Sequence, residues 1–307
     1  MAVAFVTHPH CLRHCMGEDH PEQPARLSVI EDALHERGLY DLLMHREAPR
    51  ATLEQLVRVH PREHVEALAA RTPAEGLAHI DPDTWMCPDT FEAALRAAGA
   101  NVLATDLVLT GAAQRAYCNV RPPGHHAERS TAMGFCFFNN VAVAARHALD
   151  HHGLARVAIL DFDVHLGNGT EDIFADDPRV LLCSTYQHPL YPSLNPPSVP
   201  GRIVNCPLPA DSGSDLFRRA VGDEWLPAID GFAPELVLIS AGFDGHTDDD
   251  MAGLHLSTAD YAWVTDAACR AAERHARGRV VSTLEGGYDL RALAQSAATH
   301  IERLVMA

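Results

Sequence analysis

Short runs of β-branched and other apolar residues alternate along the chain with longer segments of helical periodicity. The strand-like runs lie at residues 3–6, 115–120, 157–162, 180–185, 236–240 and 280–284. The helical patterns cover residues 24–38, 90–109, 139–152, 214–229, 257–277 and 289–305. A chain that repeats strand and helix in this way needs right-handed crossover connections. The sequence therefore predicts an α/β fold with a mostly parallel sheet and helices on both faces.

No internal repeat, low-complexity stretch or linker divides the 307 residues, and 47% of them are hydrophobic. We therefore expect one domain over residues 1–307. The longest apolar runs, such as ELVLISAGF, fall short of the ~18 residues that a membrane span needs. The N-terminal segment MAVAFVTHPH has no basic stretch ahead of an apolar one. The sequence thus predicts no membrane segment, no secretory signal and a cytoplasmic protein.

All 24 basic side chains are arginine, because the chain contains no lysine. Lysine forms Schiff bases, anchors pyridoxal phosphate and completes a Walker-type P-loop, so these chemistries are excluded. The 41 acidic residues give a formal net charge of −17. This charge argues against nucleic acid as a partner, since phosphate binding needs a basic surface. It favours small cations and cationic molecules instead.

Polar residues follow four of the predicted strands, at the point where each strand ends. In open α/β sheets, ligands bind just outside the carboxyl ends of the strands. The residues delivered to this edge are His125 and His126, then Asp163, His165 and Asn168, then Asp244, and finally Tyr288. Because four strand ends contribute, we expect these side chains to converge on one site.

Asp163, His165 and Asp244 form a candidate metal-binding set. One residue separates Asp163 from His165, so an extended segment projects both side chains to the same side. With Asp244 they offer one nitrogen and two carboxylates, which suit a divalent ion and leave a position for water and substrate. The paired histidines are candidate proton carriers, and Tyr288 is a candidate donor to a carbonyl oxygen. Together these groups predict metal-assisted hydrolysis of an amide or a related bond.

The segments RPPGHH, GFCFFNN, DFDVHxGNGT, SAGFD and EGGY resemble the signature of the zinc-dependent histone deacetylase and acetylpolyamine amidohydrolase superfamily. The similarity extends from the HPE segment at residues 20–27 to the last predicted helix, nearly the whole chain. The resemblance implies an arginase-like fold around an eight-stranded parallel sheet, with zinc as the cofactor. It also implies hydrolysis of an acylated amine, which is either acyl-lysine in a protein or peptide or an acetylpolyamine.

The resemblance implies roles for individual residues as well. The zinc ligands are the three residues of the candidate metal-binding set. His126 matches the general base and acid, His125 its electrostatic partner, and Tyr288 the tyrosine that polarises the carbonyl. Asp161 and Asn168 match the groups that orient the two histidines.

Two of these positions carry further implications of the resemblance. Asn168 is the form typical of class II-like members, where other classes carry aspartate, and a neutral partner is expected to hold His126 less basic. Asp161 and Ser184 also match a structural potassium site beside the zinc.

Substrate contacts are implied around the GFCFFNN segment, which contains Gly134 and Phe135. Tyr191, in a short proline-rich segment, corresponds to the aromatic wall of a tunnel opposite Phe135. The rim residue that holds the substrate backbone is either Asp83 or Met86, and Asp83 is our choice.

Two other functions fit part of the pattern. A ureohydrolase of arginase type requires a second metal bridged by further carboxylates, but Leu166 and Gly167 follow the DVH segment, so we exclude it. Leu166 also departs from the family's usual DVHHGNG, although the histidine it replaces is not the zinc ligand. A catalytically inactive module that only binds acylated amines would have no need of His126 and Tyr288 beside an intact ligand set. Hydrolysis is the interpretation we retain.

Overall fold

The computed structural model describes residues 2–307. In chain order its strands are β1 Val3–Thr7, β2 Met44–Glu47, β3 Ala78–His79, β4 Trp85–Met86, β5 Arg115–Cys118, β6 Val157–Asp161, β7 Val180–Gln187, β8 Ile203–Leu208, β9 Leu236–Ala241 and β10 Val280–Leu284. Eight of them form one sheet in the order β2-β1-β5-β10-β9-β6-β7-β8. Every pair in this sheet is parallel, while β3 and β4 form a separate antiparallel pair. The predicted parallel sheet is confirmed.

The α-helices of the described residues are α1 Ala25–Glu36, α2 Leu53–Leu56, α3 Arg62–Arg71, α4 Thr90–Leu109, α5 Asn140–Asp150, α6 Asn168–Phe174, α7 Ser214–Ala220, α8 Leu226–Phe232, α9 Thr258–His275 and α10 Leu290–Met306. The helical pattern at 214–229 corresponds to α7 and α8, which a π-helical turn at Val221–Trp225 connects. Among residues 2–307, no helix is both long enough and apolar enough to cross a bilayer.

Helices cover both faces of the sheet. Thr283 on β10 contacts Asn101 of α4 through a hydrogen bond of 3.1 Å. The adjacent Ser282 contacts His300 of α10 at 2.8 Å. Because successive residues of a strand point to opposite faces, α4 and α10 lie on opposite sides of the sheet. The α/β architecture expected from the sequence is therefore confirmed.

The strands β2 and β8 lie outside the strand-like runs of the sequence. They are the two edges of the sheet, where a strand is partly exposed and tolerates charged residues and proline. The residues of β2 are MHRE, none of them fully buried, and β8 contains Pro207, which edge strands tolerate. With these two strands the sheet reaches the eight that the family resemblance implies.

The order of the strands determines where the site can form. Parallel pairing places all eight carboxyl ends at one edge of the sheet. The strands β5, β10, β9 and β6 are consecutive neighbours in the sheet. They are the four strands whose following segments carry the candidate catalytic and metal-binding residues, so those segments lie side by side.

Candidate active site

The candidate metal ligands come from the loops that follow β6 and β9. Ligand atoms of Asp163, His165 and Asp244 all lie within 4.8 Å of one another, and the three side chains are buried. The Nδ1 atom of His165 lies 3.0 Å from Asp163 Oδ1 and 3.2 Å from Asp244 Oδ2. Asp244 Oδ2 is buried without a partner in hydrogen-bond geometry, although the imidazole is near. Two carboxylates and an imidazole that face one point fit a divalent cation.

Glycines allow the neighbouring loops to approach these carboxylates closely. A Cβ atom on Gly242 would lie 2.1 Å from Asp163 Oδ2, and one on Gly286 would lie 2.0 Å from Asp244 Oδ2. The amide of Gly286 donates a hydrogen bond of 2.8 Å to Asp163 Oδ2. The glycines in the SAGFD and EGGY segments therefore have a steric function, because any side chain there would displace a candidate ligand.

His125 is held between two carboxylates. Its Nδ1 atom lies 3.0 Å from Asp161 Oδ2, and its Nε2 atom lies 3.7 Å from Asp163 Oδ1. Burial alone would lower the pKa of His125, but the charges of Asp163 and Asp161 outweigh it and raise this pKa well above its ordinary value. The contact with Asp161 therefore favours the protonated form of His125, next to His126.

His126 is the neutral member of the histidine pair. Its Nδ1 atom lies 2.8 Å from Asn168 Oδ1. Burial lowers the pKa of His126 well below its ordinary value, and the neighbouring His125 adds to the effect. The hydrogen bond to Asn168 acts in the opposite direction, so burial is the main cause of the lowered pKa of His126.

A cavity of about 160 Å³ opens above these groups. Its lining residues are Asp83, His126, Gly134, Phe135, His165, Leu190, Tyr191, Met251 and Tyr288. The four residues that the sequence suggests for substrate contact, Asp83, Gly134, Phe135 and Tyr191, are all among them. The ring centroid of Phe135 lies 5.9 Å from that of Tyr288, and the centroid of Tyr191 lies 5.1 Å from that of His126.

Of the two candidates for the rim residue, Asp83 lines the cavity and Met86 does not. Met86 is fully buried in the hydrophobic core. The pKa of Asp83 is raised to about 6, first by burial and then by the neighbouring Asp81. The structure therefore places the carboxyl group of Asp83, rather than the thioether of Met86, at the wall of the cavity.

Asp161 and Ser184 are direct neighbours in the register between β6 and β7. The Oγ atom of Ser184 is buried and has no hydrogen-bond partner among residues 2–307. Asp161 uses one carboxylate oxygen for His125 and accepts a hydrogen bond from the amide of Asp163 with the other. An unpartnered hydroxyl beside a carboxylate offers oxygen ligands of the kind that hard cations prefer.

Sequence reasoning assigned no supporting role to two residues, Glu285 and Asp249, that hold the site in place. Glu285 accepts hydrogen bonds from the amides of Gly124 at 2.7 Å and His125 at 3.1 Å. It therefore holds the segment after β5 that contains His125 and His126, which we call the histidine loop. Asp249 accepts hydrogen bonds from the amide of Tyr288 at 2.6 Å and from that of Asp289 at 3.0 Å. The signal for Glu285 was available, because it is the first residue of the EGGY segment. Asp249 is hidden in a run of three aspartates that resembles a solvated loop.

A second group of potential metal ligands lies at the carboxyl end of α5. Its members are His147, His151 and His152. The Nε2 atoms of His147 and His152 each lie 2.7 Å from the same oxygen of Asp106. This carboxylate already pairs with two imidazoles, so we interpret the group as a hydrogen-bonded histidine cluster at the end of the helix.

Comparison with known proteins identifies the family. A model of the histone deacetylase domain matches residues 20–304. The chain belongs to the histone deacetylase family. The match includes every candidate catalytic, metal-binding and substrate-contacting residue described above.

Individual members of the histone deacetylase family resemble the chain over most of its length. It is 37% identical over 298 residues to a "Probable deacetylase" of Archaeoglobus fulgidus, covering 94% of this chain and 82% of the relative. It is also 37% identical over 327 residues to "Polyamine deacetylase HDAC10" of Mus musculus, covering 99% of this chain but only 48% of that protein. The solved structure described as the crystal structure of the HDA15 HD domain superposes with a TM-score of 0.94 at 32% identity, covering 99% of this chain and 88% of that one. The fold and the family resemblance inferred from the sequence are confirmed, and the chain is a histone deacetylase-like amidohydrolase.

Proposed function

We propose that this protein uses one zinc ion, held by Asp163, His165 and Asp244, to hydrolyse the amide bond of an acylated primary amine. The observation that carries the proposal is the convergence of these three buried ligands beside a cavity that His165, His126 and Tyr288 line. The unpartnered oxygen of Asp244 supports a cation at this point. Zinc bound there would polarise the acyl carbonyl and make a neighbouring water more acidic.

His126 is suited to move the proton in this reaction. Its Nδ1 atom is engaged by Asn168, which leaves Nε2 for the cavity. Because its lowered pKa keeps the imidazole neutral, it can accept the proton of the attacking water and later donate it to the departing amine. The imidazolium of His125, whose ring centroid lies 4.1 Å away, favours the negative charge that develops on the reacting carbonyl.

Tyr288 is suited to stabilise the developing oxyanion. Burial raises the pKa of its phenol well above the ordinary value, with a further contribution from Asp244, so the hydroxyl keeps its proton. The amide of Tyr288 is anchored by Asp249, and the guanidinium carbon of Arg26 lies 4.9 Å from the centre of its ring. A positioned O–H donor of this kind stabilises the transition state more than the substrate.

The mouth of the cavity favours cationic substrates. A wider cavity shares Asp83, Phe135 and Met251 with the active-site cavity, and its rim carries Glu18 and Asp19. None of its described lining residues is arginine. Together with the net charge of −17, this rim supports acetylpolyamines as a substrate class beside acyl-lysine peptides. The structural cation at Asp161 and Ser184 is, in this proposal, potassium.

Chelation and metal replacement test the proposed function. Bound zinc is counted in the His152→Asn variant. This substitution removes one imidazole from the cluster at the end of α5, so that this second group of potential ligands does not add to the count. We expect one zinc per chain, loss of all deacylation on chelation, and recovery with one equivalent of zinc. Turnover that resists chelation, or no turnover of any acylated amine by the zinc-loaded protein, would refute the proposal.

The substrate class is tested by comparing kcat/KM for acetylputrescine and acetylspermidine with kcat/KM for acetyl-lysine peptides. We expect acetylpolyamines to be turned over at least as efficiently as the peptides, because the rim is acidic. A preference for peptides above about tenfold, or 1.4 kcal/mol in transition-state binding, would rule out the polyamine version.

A further inference from the structure

Asn168 has a second partner besides His126. Its side-chain amide nitrogen donates a hydrogen bond of 2.9 Å to Glu128 Oε1, while its Oδ1 atom lies 2.8 Å from His126 Nδ1. Glu128 is half-buried and lines an open groove, which Asn168 and Leu166 also line. A continuous chain of hydrogen bonds thus runs from a carboxylate at the surface to the candidate general base.

The donors and acceptors in this series of hydrogen bonds fix the orientation of the Asn168 amide and the tautomer of His126. The amide of an asparagine can rotate by half a turn, which exchanges its donor and its acceptor. An ionised carboxylate only accepts hydrogen bonds, so the NH₂ group must face Glu128 and the oxygen must face His126. The other neighbour of the NH₂ group, Met133 Sδ at 3.5 Å, is also an acceptor. His126 must then carry its proton on Nδ1, which leaves the lone pair of Nε2 directed to the cavity.

We propose that Glu128 is a positioning residue for the deacylation reaction, because its carboxylate orients Asn168 and so selects the tautomer of His126 that can act as a base. The inference rests on the proposed function, in which His126 takes up the proton. It also gives a physical reason for asparagine at position 168. An aspartate there would set two carboxylates about 3 Å apart, and they could not both remain ionised without strong repulsion.

The carboxylate of Glu128 is not needed to shape its own loop. The backbone amide of Glu128 bonds to the carbonyl of Thr131 at 2.9 Å, and the amide of Arg129 bonds to Asp172 at 2.8 Å. Within residues 2–307, Asn168 is the hydrogen-bond partner of the Glu128 carboxylate. Removing this carboxylate is therefore expected to act on catalysis rather than on the loop.

A double-mutant cycle between Glu128→Gln and Asn168→Asp tests the proposal. In the wild-type background, Glu128→Gln is expected to lower kcat, because a glutamine can donate as well as accept and no longer enforces one orientation of Asn168. In the Asn168→Asp background the same substitution is expected to raise kcat, because the glutamine donates to the new carboxylate and removes the repulsion. Glu128→Ala is expected to lower kcat about tenfold or more with little change in KM, as for other lost outer partners of catalytic groups.

Glu171→Gln is the matched control. Glu171 is half-buried, lines the same groove and accepts a hydrogen bond of 3.1 Å from the side chain of Asn205, but neither residue contacts His126. The kcat of the Glu171→Gln variant is expected to equal that of the wild type. A purely structural role for Glu128 would change kcat in the same direction in both backgrounds, and that result would overturn the proposal, as would an unchanged kcat in Glu128→Ala.

The His126→Ala variant separates this inference from the proposed function. If His126→Ala keeps full turnover, the role of His126 itself is wrong. If His126→Ala is inactive while all Glu128 variants match the wild type, the deacylation mechanism stands and only the role of Glu128 fails.

Discussion

At the scale of single residues, the active site depends on small side chains as much as on polar ones. Gly134 has φ +56°, and a Cβ atom on it would lie 2.6 Å from Cδ2 of His126. The residue therefore lies directly against the imidazole that we propose as the general base. A larger side chain cannot fit there unless His126 moves.

Gly134→Ala is expected to lower kcat by up to about 100-fold, because a displacement of about 1 Å in a catalytic group has effects of this size. Alanine in a left-handed conformation also costs about 1–2 kcal/mol of stability. Gly153→Ala separates the two effects, because Gly153 has φ +71° but no atom within 4 Å of the added methyl group. Steady-state kinetics and urea unfolding of both variants are the measurement. Equal activities in the two variants would contradict the steric role of Gly134.

Tyr288→Phe removes one hydroxyl and is expected to lower kcat by roughly 10² to 10³, the range typical of a lost oxyanion donor. Its effect on KM is expected to be small, because the hydrogen bond strengthens mainly in the transition state. Kinetics on both acetylpolyamines and acetyl-lysine peptides provide the check. Near-full turnover on every acylated amine tested would remove Tyr288 from the mechanism.

At the scale of elements, a buried ion-pair network joins the segment before α1 to the loop after β5. Glu22 is fully buried and pairs with both Arg26 and Arg121, and NH1 of Arg121 also bonds to the carbonyls of Cys11 at 2.9 Å and His14 at 3.1 Å. Burial by itself would raise the pKa of Glu22, but Arg121 and His14 outweigh it and hold this pKa well below its ordinary value. The network links the HPE segment to RPPGHH and so supports the histidine loop.

Glu22→Gln is expected to lower the free energy of unfolding by about 3–5 kcal/mol, because it leaves two buried arginines without their carboxylate. Glu66→Gln is the control, since its partner Arg62 is 57% exposed and Glu66 itself is 63% exposed. That substitution is expected to cost less than about 1 kcal/mol. Urea denaturation of both variants gives the comparison. Similar losses in the free energy of unfolding would show that the buried network stabilises the fold no more than an exposed ion pair does.

The sequence predicted the elements unevenly, and the structure explains the difference. The central strands, such as β6 and β9, are buried along their whole length and therefore read as continuous apolar runs. The edge strand β2 carries charged residues, and in β8 Asn205 and Pro207 interrupt the apolar residues, so local pattern did not reveal them. The pairing of β3 and β4 spans only two residues per strand, which is too short for any periodicity.

At the scale of the whole molecule, two buried histidines connect stability to pH. His60 donates from Nδ1 to the carbonyl of Arg129 at 3.1 Å, and its Nε2 accepts from the amide of Asn139 at 3.0 Å. His300 lies between Thr265 and Ser282 in the contact of α9, α10 and the sheet. Burial lowers the pKa of each to about 3, with His64 adding to the effect at His60.

The stability of the fold is therefore expected to fall below neutral pH. In the unfolded chain a histidine binds a proton below about pH 6.5, whereas these two stay neutral in the folded state until far lower pH. Their contribution is complete above about pH 6.5 and is lost as the pH falls from there towards 3. Each of the two histidines is expected to lower the free energy of unfolding by about 2 kcal/mol between pH 7.5 and pH 5.0, at 1.36 kcal/mol per pKa unit.

His300→Asn tests this expectation by removing one of the two groups. The loss of unfolding free energy between pH 7.5 and pH 5.0 is expected to be about 2 kcal/mol smaller than in the wild type. His35→Asn, at an exposed position of α1, is expected to leave the loss unchanged. Urea unfolding at both pH values is the measurement, and an equal loss in wild type and His300→Asn would show that His300 does not contribute.

The sequence by itself determined the alternation of strands and helices, the residues that follow each strand and the type of ligand set they form. These are local properties, because periodicity and residue chemistry can be read within a few positions. Only the tertiary structure decided which strands are neighbours, that Asp83 rather than Met86 reaches the cavity, and that Glu128 meets Asn168. These contacts join residues far apart in the chain, and they depend on how the helices and strands pack, which no local pattern encodes.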